Sequence, residues 1–157
     1  MADTLRALIA ESLAVVRWEA PPLWDALGQR LAGLHLDLAL GEERFGIRAE
    51  AGEVRVVPAG PAAVRLVTDA TVIAALLDGQ LTLAAAVQGD RLQLFGTLDD
   101  LRRLLAGLHV YLHAAVRAPG FGPLRARFAA LDPQAGPGPG RAAAPRPEVI
   151  DGDVEQG

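Results

Sequence analysis

Apolar residues recur at helical spacing where the chain begins: Leu5, Leu8, Ile9, Leu13 and Val16 share one side of a 3.6-residue period behind Asp3 and Thr4, either of which can cap. Pro21 and Pro22 stop that helix and start another, because proline in a first turn gives up no needed N–H bond. Leu23, Trp24, Leu27, Leu31 and Leu34 form the second stripe. The period then changes to two. "LHLDLALG" places Leu34, Leu36, Leu38 and Leu40 on one face and His35, Asp37 and Ala39 on the other, which predicts a half-buried strand. "ERFGIRAE" alternates Phe45, Ile47 and Ala49 with Arg44, Arg48 and Glu50, "EVRVVP" follows the turn Ala51-Gly52, and the three strands read as a meander. After "AGPA", Val64 and Leu66 alternate with Arg65 and Val67 in a fourth strand.

Thr68, Asp69 and Thr71 offer cap chemistry for a short helix through Leu77, closed by Asp78-Gly79. Thr82 can cap another as far as Gln88, Gly89-Asp90 turns the chain, and Leu92 and Leu94 mark a fifth strand ending at Gly96. Thr97 and Asp100 have capping-box spacing ahead of the longest helix, with Leu98, Leu101, Leu105, Leu108, Leu112 and Ala115 as its stripe. Phe121, Leu124, Phe128 and Leu131 keep helical spacing beyond Pro119. The order predicts an α+β fold, a five-stranded, largely antiparallel sheet covered by helices on one face. It divides into N-terminal helices over 1–33, an α+β domain over 34–131 and a Pro/Gly-rich acidic tail over 132–157, read as disordered.

Composition narrows the function classes. The 157 residues are 51% hydrophobic and 22% charged, enough for one domain with a sizeable core. A net charge of -4, with no basic stripe, argues against nucleic acid as a partner. The tail supplies most of that charge, with two arginines against five acids. Every cation is arginine, as a GC-rich bacterial genome would give. With no cysteine there is neither a disulfide framework nor a thiolate site. The acids Asp3, Glu11 and Glu19 make the first twenty residues unlike a signal peptide, and the expected compartment is the cytoplasm. The most apolar run, Ala70 to Val87, is broken by Asp78 and Gly79 and so does not read as a membrane span.

The stretch "GQLTLAAAVQGDRLQLFG", from Gly79 to Gly96, resembles the core motif of the sterol carrier protein 2 family. The spacing from Gly79 through Leu81 and Ala86 to Leu92, Leu94 and Gly96 fits without a gap, while Gln80, Leu83 and Asp90 depart from the family's usual lysine, proline and second glycine. "TDATVIAALLDG" before it and "LDDLRRLLAGL" after it are similar to the flanking helices of that family. The resemblance, to a divergent bacterial member, implies helices and sheet enclosing an apolar tunnel for sterols, acyl chains or isoprenoids.

Catalytic candidates are few. His109 and His113 lie one helical turn apart, the spacing of two zinc ligands, but Val110 stands where a zinc protease needs glutamate and no third ligand is near; they read as surface histidines. Ser12, the only serine, has no neighbouring base, Asp99-Asp100 suit the first turn of a helix, and Glu42-Glu43 reads as a solvated hairpin turn. No enzyme activity, cofactor or metal is expected. The expected function is non-covalent carriage or presentation of a hydrophobic ligand, lined by Leu81, Ala86, Val87, Leu92, Leu94, Leu101, Leu105 and Leu108, with Ala84, Ala85 and Ala86 too small to fill the space. Phe121, Leu124, Phe128 and Leu131 read either as a lid or as ordinary docking of a terminal helix. Trp18 and Trp24 read as helix-packing residues, with transient membrane contact as the alternative. The competing functions are an interaction or scaffold protein with a filled core, whose tail residues 147–155 bind a protein partner, and an accessory subunit presenting an isoprenoid or quinone intermediate to a membrane-associated enzyme.

Overall fold

The structure, a computed structural model, describes residues 3–132; the expected tail beyond Asp132 lies outside the described residues. Helices α1 (Leu5–Glu19) and α2 (Pro21–Leu31) precede strands β1 (His35–Leu40), β2 (Glu43–Glu50), β3 (Glu53–Val57) and β4 (Val64–Thr68). Then follow α3 (Ala70–Leu77), α4 (Leu83–Gln88), β5 (Gln93–Phe95), α5 (Leu98–Arg117) and α6 (Phe121–Ala130). Four of these helices start with the same chemistry. The side chains of Thr4, Asp69, Thr82 and Thr97 each accept a hydrogen bond from the backbone N–H three residues on, meeting one of the donors a helix start leaves unpaired.

The sheet runs β3-β2-β1-β4-β5. Pairs β1–β2, β2–β3 and β4–β5 are antiparallel, and β1–β4 is parallel, Leu36 facing Val64 and Leu40 facing Thr68. The fold is therefore the expected α+β class with a mostly antiparallel sheet, and the meander closes after its third strand. A parallel neighbour requires the chain to cross from β3 over β2 and β1. Gly46 marks the route: a Cβ there would stand 3.1 Å from Val57 Cγ2 and 3.2 Å from the carbonyl oxygen of Pro58, so residues 58–63 cross the face opposite the helices.

Leu36, Leu38, Leu40, Phe45, Ile47, Ala49, Val54 and Leu66 fill the helix-covered face. Arg44, Arg48, Arg55 and Arg65 alternate with them on the other. The expectation of a half-buried β1 is corrected on that second face, where Asp37 and Ala39 are also buried. β1 lies in the middle of the sheet beneath the crossing connection. Arg44 meets the Asp37 carboxylate at 2.6 Å and Arg65 stands 3.7 Å from it. Glu43 is a second correction. Its carboxylate accepts from the N–H groups of Leu5 (2.8 Å) and Arg6 (3.0 Å), so it caps α1 across the fold and is not simply a solvated turn residue.

The helices pack on one another through small and aromatic residues. Gly107 brings α5 against α2 so closely that a Cβ there would stand 2.5 Å from Leu31 Cδ2. The buried line of α5 accordingly runs through Leu104, Gly107, Ala114 and Ala115, while Leu98, expected on its stripe, is exposed. α6 docks on α1 and α3 through Phe121, Leu124 and Phe128. Arg127 of α6 grips the Asp3 carboxylate with two bonds, of 2.8 and 3.1 Å, and reaches Glu11 at 2.8 Å. That bidentate contact holds the Asp3 carboxyl below its ordinary value of 3.8. Trp24 is buried, but Trp18 is 78% exposed, so the helix-packing expectation is corrected for Trp18.

Candidate functional site

Leucine-rich faces converge between the sheet and the helices without meeting. They leave a cavity of about 130 Å³. α1 contributes Ile9 and Leu13, α2 Leu27 and Leu31, and the sheet Leu36, Leu38, Leu40, Ile47, Val54, Leu66 and Thr68. α3 adds Ile73, Leu76 and Leu77, Leu83 comes from α4, Leu92 from the approach to β5, and Leu104, Gly107, Leu108, Tyr111 and Leu112 from α5. The period-two strands aim every second side chain at this space, and the helices answer with their own stripes. Among the described residues, no charged one lines it.

The hydroxyls in and behind the wall are already engaged. Ser12 Oγ donates to the Ile9 carbonyl at 2.7 Å. Having spent its only hydrogen there, it accepts from the Tyr111 hydroxyl at 2.6 Å. Burial pushes the Tyr111 phenol up to about 12, and the Ser12 contact offsets part of that effect. Tyr111 therefore stays a neutral donor through the physiological range. Thr68 Oγ1 donates to the Arg91 carbonyl at 2.8 Å, tying the end of β4 to the turn before β5. An apolar cavity whose wall spends its polar hydrogens on itself can hold hydrocarbon, and it offers a charged group nothing.

Of the eight residues expected to line a ligand site, Leu92 and Leu108 do line the cavity. Leu81, Val87, Leu94 and Leu101 are half-buried against the surrounding core, Leu105 is half-buried, and Ala86 is fully buried outside the lining. Ala84 and Ala85 face solvent, and α4 presents Leu83 to the cavity instead. Phe121, Leu124 and Phe128 are core residues and Leu131 is half-buried; none of the four lines the cavity. The rest of the cavity lining, Ile9, Leu13, Gly107 and Tyr111 among it, was not in the expected set. Ile9 and Leu13 carried the helical signal without saying which sheet they would cover. Gly107 and the pairing of Ser12 with Tyr111, 99 residues apart, had no local signal at all.

His109 and His113 are exposed on α5, and His109 Nδ1 lies 2.9 Å from the Leu105 carbonyl, to which it donates. Among the described residues no group of three or more His, Asp or Glu could hold a metal ion. Asp99 and Asp100 occupy the first turn of α5 beside its cap. No described helix is long and apolar enough to cross a membrane.

No protein-family model matches the sequence, and no curated protein matches it. Solved structures do share its shape. A ubiquinone synthesis protein, UbiJ-SCP2, superposes with a TM-score of 0.54 at 22% identity, covering 73% of this chain and 93% of that one. A conserved hypothetical protein of Thermus thermophilus, TT1886, described as possibly a sterol carrier protein, gives 0.53 at 16% identity over 78% and 97%. A crystal structure of sterol carrier protein 2 gives 0.51 at 15% identity over 69% and 94%. The strand order, the helices on one face and these superpositions together assign the chain the sterol carrier protein 2 fold.

Proposed function

We propose that this protein binds a hydrophobic, lipid-like ligand non-covalently between its sheet and its helices, and carries or presents it without reacting with it. The observation that carries this reading is the cavity of about 130 Å³, with no charged residue in its wall among those described. Apolar cavities of about 150 Å³ stay dry and accept benzene, so a space of this size suits a ring or a short chain. A longer ligand requires this space to widen or its chain to extend out of it. Each methylene buried contributes about 0.8 kcal/mol, so a modest opening is repaid quickly. α1 and α2, within residues 1–33, act here as part of the binding unit, since both contribute to the lining. The hydroxyl hydrogens of Thr68 and Tyr111 in that lining are engaged by the Arg91 carbonyl and by Ser12 behind it, which supports carriage without reaction.

A second reading is favoured by one observation, the superposition on a protein named for ubiquinone synthesis. In it the chain is an accessory subunit that presents an isoprenoid or quinone intermediate to a membrane-associated enzyme. Both readings need an occupied cavity.

Native mass spectrometry of protein purified from its own host, followed by extraction and identification of lipid, tests them. Hexadecanol, palmitate and cholesterol are then added separately and the melting temperature is measured. A ligand present at about a hundred times its Kd stabilises by about 2.7 kcal/mol. A co-purifying lipid or such a rise supports carriage, and an isoprenoid or quinone supports the accessory role. Protein that carries no lipid and gains no stability from any of the three overturns both.

A further inference from the structure

The outer side of α5 is apolar as well as its inner side. Leu98, Leu105 and Val116 stand with His109 on one line of the helix, within about 40° of one another at 3.6 residues per turn. Leu98 is 68% exposed, Val116 is 75% exposed and Leu105 is half-buried. From Leu98 to Leu112 the leucines step alternately by three and four residues, the spacing by which one helix pairs with another. The core takes the side of α5 marked by Leu104 and Gly107, so part of that seam looks outward. We infer that this outer face docks on the same face of a second copy of the chain, with the two α5 helices antiparallel about a twofold axis. The inference goes beyond the proposed function and does not depend on what the cavity holds.

Charge selects that occupant and that direction. Asp99 in the first turn of α5 and Arg117 in its last turn are exposed on the same flank of the apolar line, at its two ends. Neither has an ion-pair partner among the described residues. With Leu98 set opposite the partner's Val116, Leu105 packs on the partner's His109, and Leu112 meets the aliphatic stem of the partner's Arg102. The partner's Arg117 then comes level with residue 97, about 3 Å along the axis from Asp99, and the twofold axis repeats this pair at the other end. A parallel pair would instead set Asp99, Arg102 and Arg117 each against its own copy and align the two helix dipoles. Leu98 to Val116 spans about 27 Å, so a strip about 10 Å wide on each copy buries about 500 Å² in all, under half of the roughly 1,200 Å² of a stable interface. The dimer is therefore a reversible one, with a Kd of about 0.1 mM.

Sedimentation velocity of the full chain between about 10 μM and 1 mM tests this, and the sedimentation coefficient should rise towards that of a dimer. Leu98→Glu changes an exposed position and should weaken association at least about tenfold, because its charge meets the partner's Val116. Adding Val116→Arg to Leu98→Glu should regain at least about threefold, since the two new charges are opposite. The chain has no cysteine, so introduced thiols report the direction. Leu98→Cys chains mixed with Val116→Cys chains should be joined by a short bis-maleimide at least about fivefold more than either kind alone. A chain that stays monomeric at about 1 mM, or a dimer that Leu98→Glu leaves unchanged, overturns the inference. Leu98→Cys chains that link to one another as readily as to the mixture overturn the antiparallel arrangement. A dimer that forms only when residues 133–157 are removed shows that the chain's own C-terminal segment covers the face, and a monomer that floats with phosphatidylcholine vesicles unless it carries Leu98→Glu shows that a lipid surface does; either overturns the second copy as occupant.

Discussion

The two ends of the helical layer are filled differently. Where α6 docks on α1 and α3, Phe121, Leu124 and Phe128 are 0–2% exposed, and Phe121 meets Tyr111 edge-on with ring centroids 5.8 Å apart. Around the cavity, which α1 and α3 line together with α2, α4, α5 and the sheet, the side chains are aliphatic apart from Thr68, Gly107 and Tyr111, and they leave about 130 Å³ between them. No described phenylalanine reaches that space. Aromatic side chains bury about 150–250 Å² each and fill gaps that branched aliphatic chains, held to staggered rotamers, cannot reach. The contrast teaches that aromatics close one part of the helical layer tightly, whereas leucines leave the other part with space between their side chains.

Removing bulk from the filled end should give the largest effect. Phe128→Ala is expected to cost about 3–5 kcal/mol, read by urea denaturation, because the ring is 1% exposed and its neighbours cannot collapse onto the space. A loss below about 1 kcal/mol would show that this end is as loosely filled as the other. The boundary between the two ends is the Ser12–Tyr111 bond. Ser12→Ala leaves the Tyr111 hydroxyl without its buried partner and should cost about 1–3 kcal/mol, while Ser12→Ala combined with Tyr111→Phe should recover part of that loss. Adding bulk should be tolerated only at the open end. Leu108→Phe is expected to change stability by less than about 1 kcal/mol and to abolish hydrophobic-ligand uptake, whereas overpacking a filled core costs about 1–3 kcal/mol.

The smallest effect concerns the ion pairs that clip α6 to α1. Because the Arg127 contact holds the Asp3 carboxyl below its ordinary 3.8, the folded state binds that proton less readily than the unfolded chain. The contribution is full above that value and fades as pH falls through the lower, folded one. Denaturation of the wild type and of Asp3→Asn should therefore differ at about pH 6 and converge towards about pH 2. A gap that stays constant down to low pH would show that Asp3 acts without its charge.

Much of the fold was legible because its signals are local. The four side-chain caps, the change of period at Leu34 and the turns at Ala51-Gly52 and Gly89-Asp90 lie within a few residues of what they control, and φ is positive at Ala51, Gly52 and Asp90. The placement of β4 beside β1 was not legible, since alternation names the buried face of a strand and not its neighbour. Glu43 looked like a turn residue for the same reason, its partners being 37 and 38 residues away. At the site, the sequence marked the region around Leu92 and Leu108 but set the phase of α5 by its leucines. Packing set it by Gly107, because the closest approach of two helices goes to the smallest residue.

The sequence by itself determined the elements, the apolar faces and the α+β class, all of which follow from side-chain type and short-range spacing. Only the tertiary structure decided which apolar faces touch and which leave a gap, because a cavity is a property of several surfaces at once. Ile9, Leu31, Leu66 and Leu108 are ordinary core residues along the chain. They become the wall of one cavity only when the crossing connection brings β4 beside β1 and Gly107 fixes how near α5 can approach α2.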